Sequence, residues 1–147
     1  MTRRIIDEKL SVGGQPSLAE IAALGGEGVT LLINNRPDGE TPGQPGGAAE
    51  RAAAEGAGLA YLDLPVTRET ITRAAIERFH AAVTGAPGPV FAHCAGGTRS
   101  LTLWVLGEVL AGKLRREDIP AYAARHGYDL SGALRWLEAN DAVGGPR

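Results

Sequence analysis

The stretch FAHCAGGTRS, Phe91 to Ser100, decides how this chain is read. Before it, Val90 to His93 forms a short apolar run of strand length. After it, Leu101 to Ala111 is apolar nearly all round, as a helix inside a domain is. Strand, glycine turn and buried helix in that order make the repeating unit of an α/β sandwich, whose ligands bind at the carboxyl ends of the strands. Cys94 stands at such an end.

Working outward, the same alternation recurs. Val29 to Asn34 (VTLLIN) and Leu59 to Leu64 (LAYLDL) read as strands, the first apolar enough to be covered on both faces. Between them Asn35 to Gly47, rich in proline and glycine, predicts an irregular loop, and Ala48 to Glu55 an alanine-rich helix. Ser17 with Glu20 has capping-box spacing for a short first helix, and Thr72 caps a helix whose Ile76, Phe79 and Val83 share a face. Two further helices are expected near Pro120 and after Ser131, with Ser131 as the cap of the last. The fold expected is a three-layer α/β sandwich, a mostly parallel sheet flanked by helices, in one domain over 1–147 with its core at about 10–138.

The 147 residues suffice to bury roughly two thirds of the unfolded surface without disulfide or metal. A net charge of −2 gives no general electrostatic case for nucleic acid or an anionic membrane, so any anion site must be local. No apolar run is long enough to span a bilayer, and a cytoplasmic location is expected. One cysteine excludes an internal disulfide, and three scattered histidines make no zinc spacing, so neither metal nor cofactor is expected. His80 and His126 read as structural or solvent-facing.

A cysteine near pKa ~8.5 is mostly protonated at neutral pH and needs surroundings that favour the thiolate. Here Gly96 and Gly97 leave the backbone N–H groups from Ala95 to Arg99 free to form an anion nest, and the helix starting about Arg99 adds its positive end. Arg99 can present a forked guanidinium to two oxygens of a phosphate. Thr98 or Ser100 can hydrogen-bond the thiolate. His93, directly before the nucleophile, reads as a support that orients the loop, and Arg36, in an RPDG loop after a buried strand, as a second cation near the nest or as a partner of Asp38 or Glu40.

HCAGGTRS resembles the signature loop of cysteine-based protein phosphatases. Those enzymes place one more residue between cysteine and arginine than the four that separate Cys94 from Arg99, a spacing similar to that of rhodanese-type sulfurtransferases. INNRPDGE at Ile33 to Glu40, Gln44 with Pro45, and LPVTRETIT at Leu64 to Thr72 resemble the beta-lactamase-hydrolase-like, phosphatase-like domain family of bacteria, from about Leu10 to Glu138. That family has the short spacing itself, and its members are described as phosphatases or sulfur transferases. Its usual loop has arginine and serine after the cysteine, where this chain has Ala95 and Gly96.

The resemblance implies a cysteine-dependent phosphatase: Cys94 attacks a phosphomonoester, Arg99 and the loop amides stabilise the transferring group, and water releases the cysteinyl phosphate. A leaving alkoxide wants a general acid, and Glu69, after the LAYLDL strand, or Asp38, in the RPDG loop, is the candidate. The alternative is a sulfurtransferase holding a Cys94 persulfide, which needs no such acid. A phosphate-binding module without turnover is a third reading. The expected partner is a phosphorylated small molecule or protein, or a sulfane-sulfur donor, and nothing sets the oligomeric state.

Overall fold

The structure, a computed structural model, describes residues 1–141; the expected domain span of 1–147 runs past them at 142–147. Five strands form one sheet in the order β1-β2-β5-β3-β4. These are β1 (Arg3–Ile5), β2 (Leu10–Gly13), β3 (Leu31–Asn34), β4 (Ala60–Asp63) and β5 (Val90–His93). β2, β5, β3 and β4 run parallel, and β1 pairs antiparallel with β2 at one edge. The helices are α1 (Leu18–Gly26), α2 (Gly47–Gly56), α3 (Arg73–Gly85), α4 (Thr98–Leu110), α5 (Ile119–His126) and α6 (Ser131–Asp141). This is the mostly parallel, helix-flanked sandwich expected from the sequence.

The sheet's period of two divides its apolar residues between two cores. Leu31, Ile33, Val90 and Ala92 face Ile76, Phe79 and Val83 of α3, Leu103 and Leu106 of α4, and Leu137 of α6. Leu32 and Phe91, the alternate residues, face Ile21 and Leu24 of α1 and Ala54 of α2. The fully buried α4 residues Leu101, Leu103, Val105 and Leu106 include no stripe left for solvent. By the same alternation His93, two residues after Phe91, belongs to the α1 and α2 side. That parity matters at the site.

The first helix carries its capping box: Ser17 Oγ accepts the Glu20 N–H at 3.1 Å, and Glu20 Oε1 accepts the Ser17 N–H at 2.8 Å. Thr72 caps α3 through the Ala75 N–H. The last helix differs from expectation. Ser131 is its first residue, not its cap, because Asp129 two positions earlier accepts the Ser131 N–H at 2.9 Å with a stronger, charged acceptor. β1 and β2 are also beyond what the sequence suggests, since Arg3 and Arg4 lie at a sheet edge where no apolar run is required. His80 bonds Glu108 at 2.7 Å and stacks on Trp104, joining α3 to α4.

Candidate active site

The loop from Cys94 to Gly97 joins β5, the middle strand, to α4. Cys94 is buried, and its N–H donates to the Gly13 carbonyl of β2. Its Sγ accepts the Gly97 N–H at 3.0 Å. Gly97 is the N-terminal cap of α4 at φ +107, with no side-chain cap bond, and a Cβ there would strike the Tyr128 ring and hydroxyl. Glycine is therefore required twice over, by the left-handed backbone and by the close approach. Tyr128 also donates its hydroxyl to the Gly96 carbonyl at 3.2 Å, so the turn is held from outside. Neither Thr98 nor Ser100 makes the bond to sulfur: Ser100 Oγ donates to Asn35 Oδ1 at 2.8 Å, fastening α4 to the end of β3.

Arg99 turns back from the first turn of α4 towards the loop that follows β3. Nη1 and Nη2 both bond Glu40, at 2.7 and 2.9 Å, and Nη1 also donates to the Val66 carbonyl at 2.9 Å. These bonds use three of the five N–H donors of the guanidinium, and the Nε–H with one Nη2 hydrogen lies on the fork's other edge. Glu40 also accepts from Arg36 Nε at 3.1 Å. Bonds from Arg99 first, and from Arg36, hold the Glu40 carboxyl down to about 2 against the opposing cost of burial. The Glu40 bond and then the nearby Cys94 charge raise the Arg99 pKa, so the guanidinium is charged at any working pH.

Arg36 is buried and completes a polar chain under the loop. Its Nη1 donates to Gln15 Oε1 at 3.1 Å, and Gln15 Nε2 donates to Glu50 Oε2 at 2.7 Å. Glu50, on α2, meets His93 Nε2 at 2.7 Å, and His93 Nδ1 lies 3.1 Å from the Cys94 carbonyl oxygen. Of the two readings of Arg36, the structure has its ion pair on Glu40, one bond away from Arg99.

The two acid candidates part company. Asp38 Oδ1 accepts the Gly47 N–H at 2.8 Å, at the start of α2. Glu69 lines the cleft that holds Cys94, Ala95, Gly96, Thr98 and Arg99, a space of about 820 Å3. The opposite wall comes from α6 and its approach, with Asp129, Ser131, Arg135 and Trp136, and Ile71 adds an apolar surface beside Arg68. Gln15, Glu50, Tyr128 and this wall are the contributors that sequence reasoning passes over, together with the bond from Glu40 to Arg99. Only Glu40 carried a local signal, four residues after Arg36.

A parallel sheet that delivers a cysteine into a glycine turn, ahead of a helix carrying an arginine in its first turn, defines a phosphatase-like domain. The chain belongs to the family described as beta-lactamase hydrolase-like protein, phosphatase-like domain, whose model matches residues 2–111. A beta-lactamase hydrolase-like protein of Agrobacterium fabrum is 50% identical over 94% of this chain, which spans 32% of that longer protein. About a third of the length is likewise covered in the Xylella fastidiosa relatives. Among solved structures, a candidate phosphatase of Neisseria meningitidis is 30% identical with a TM-score of 0.77, covering 90% of this chain and 94% of that one. PTPMT1 in complex with PI(5)P shares the fold, with a TM-score of 0.72 at 18% identity over 97% and 99% of the two chains. No described helix is long and apolar enough to cross a membrane.

Proposed function

We propose that this domain hydrolyses phosphomonoesters through a cysteinyl-phosphate intermediate, with Cys94 as the nucleophile. The observation that carries the reading is the position of the sulfur. It sits at the N-terminus of α4, accepts the Gly97 N–H, and opens to the same cleft as Arg99. Helix end, amide and guanidinium all present positive charge to an anion bound beside the sulfur. Glu40 does not compete for that anion. It occupies one edge of the Arg99 fork and aims the other, which suits two oxygens of a phosphoryl group.

In the first step the thiolate attacks phosphorus, the S–P bond forms, and the ester P–O bond breaks. Glu69, in the cleft, gives its proton to the departing oxygen. In the second step Glu69 takes a proton from water as the water oxygen attacks phosphorus, and the S–P bond breaks to return the thiolate. Ala95, Gly96 and Thr98 contribute backbone amides to the transferring group, while the Gly97 amide stays on the sulfur. Asp38 is left to α2, and Arg36 acts on the site through Glu40 and Gln15.

The four-residue spacing between Cys94 and Arg99 favours a second reading, sulfur transfer through a Cys94 persulfide. One experiment separates the two: phosphate release from an aryl phosphate and thiocyanate formation from thiosulfate and cyanide, on the same preparation. Phosphate release abolished by Cys94→Ser is expected. Thiocyanate without phosphate release reverses the assignment, and silence in both assays with measurable phosphate binding leaves a binding module. Glu69→Gln is expected to slow alkyl phosphates about 10- to 100-fold and aryl phosphates, whose leaving groups need no proton, far less. Equal rates on both substrate types would remove Glu69 as the acid.

A further inference from the structure

Both ring nitrogens of His93 are engaged, and that fixes where its protons lie. A carbonyl oxygen only accepts, so the bond to the Cys94 carbonyl requires the hydrogen on Nδ1. Nε2 then faces Glu50 Oε1 at 2.7 Å with one proton between them. The pair is either imidazolium with carboxylate or imidazole with carboxylic acid, and neutral both ways. With both side chains at or below 1% exposure, neutrality is what burial demands.

The remaining contacts support the same assignment. Gln15 must turn its amide nitrogen to Glu50 and its oxygen to Arg36, since a carboxylate only accepts and a guanidinium only donates. Glu50 is therefore gripped at both oxygens. Tyr61 and Asp63 of β4 also feel its charge. Arg99 and Tyr128 face Cys94 and would feel a charge on it.

The Cys94 carbonyl and the Ala95 N–H belong to one peptide unit. In a trans peptide the N–H points opposite to the carbonyl, away from the His93 ring, and Ala95 lines the cleft. A donor at the carbonyl end polarises the N–H at the other. We propose that Glu50 is a positioning residue for Cys94: through the shared proton at Nε2 it holds the His93 ring with its Nδ1–H on the Cys94 carbonyl, and so orients and polarises the Cys94–Ala95 peptide in the anion cradle. The proposal rests on the reading of Cys94 as the nucleophile.

The test measures the rate of Cys94 alkylation by iodoacetamide against pH, beside kcat/KM for an aryl phosphate, in the unaltered protein, Glu50→Ala and Glu50→Gln. In Glu50→Ala the ring loses its Nε2 partner and is free to turn away from the Cys94 carbonyl. The alkylation midpoint is expected to rise by about one pH unit and kcat/KM to fall roughly tenfold. Glu50→Gln, whose amide N–H can donate to Nε2 while its oxygen accepts from Gln15, should recover both to within about threefold. Loss of thermal stability in Glu50→Ala with an unmoved midpoint overturns the proposal, as does a folded Glu50→Gln no better than Glu50→Ala.

Should Glu50→Ala fail to fold, the unaltered protein still decides. Its histidine 15N spectrum should show His93 Nδ1 protonated throughout the stable pH range, and an unprotonated Nδ1 overturns the proposal. An unaltered protein whose Cys94 reacts like an ordinary thiol, and which turns over no phosphate, refutes the nucleophile reading instead, while the spectrum still reports on His93.

Discussion

The helices α2 and α4 start alike and end up with opposite uses. Each follows a parallel strand of the sheet, each begins after a glycine at positive φ (Gly46 at 88°, Gly97 at 107°), and neither cap residue makes a side-chain cap bond. At α2 the exposed amide is taken by a carboxylate of the chain itself, since Gly47 N–H donates to Asp38. At α4 the Gly97 amide meets the Cys94 sulfur, and no acidic residue lies in the first turn. A helix N-terminus is generic anion-binding equipment. What makes one end a candidate site is a capping amide that meets a sulfur and not a carboxylate, together with the presence of a cleft.

The contrast can be tested at four points. The largest effect is expected at α4: Arg99→Lys keeps the charge but loses the fork, and aryl phosphate hydrolysis should fall by about 10²- to 10³-fold. Steady-state kinetics showing a change of less than threefold would mean that the helix end alone binds the phosphoryl group. Next, Gly97→Ala should cost about 1–3 kcal/mol through the backbone strain, with the Tyr128 clash added. Chemical denaturation reads this directly, and unchanged stability would show that the turn can relax.

At α2 the effect is smaller. Asp38→Ala removes the acceptor of the Gly47 N–H and should lower stability by about 1 kcal/mol, with hydrolysis nearly unaltered. A fall in kcat of more than tenfold, with stability retained, would return Asp38 to the list of proton donors. The smallest effect is the pH dependence of the Glu40 pairing, which is partly exposed. Its folded pKa is depressed to about 2 from 4.5, so its stabilisation is complete above about pH 4.5 and is lost as pH falls through about 2. Urea midpoints measured across that window should fall less steeply in Glu40→Gln, and parallel curves would show that the pairing contributes nothing.

FAHCAGGTRS was legible because its signal is local: strand, glycine pair, cysteine and arginine lie within ten consecutive residues. The mostly parallel sheet followed from the buried runs that alternate with helical patterns. Glu50 was not legible, since in an alanine-rich helix one glutamate looks like any solvated charge until α2 packs against β5 and its carboxyl meets His93. Glu40 was legible as a partner of Arg36, but its bond to Arg99 was hidden, and so was Gln15, because both depend on loops whose course the local pattern does not determine. Asp38 looked like a loop acid available for chemistry, and its bond to an amide nine residues onward is a tertiary fact. Ser131 had the right residue type for a cap, and the charged neighbour at Asp129 took that bond.

The cradle and the wall that faces it are written in different parts of the chain. Cys94 and Arg99 fall inside the segment matched by the family, 2–111, whereas Asp129, Ser131, Arg135 and Trp136 come after it. The loop at the end of β5 and the α6 side of the cleft can thus be varied separately. Residues of α6 can change in size or charge, and so alter which molecules reach the sulfur, without disturbing a single bond of the anion cradle. Tyr128 is the exception: it too follows the matched segment, yet its hydroxyl donates to the Gly96 carbonyl, so it belongs with the cradle and not with the wall.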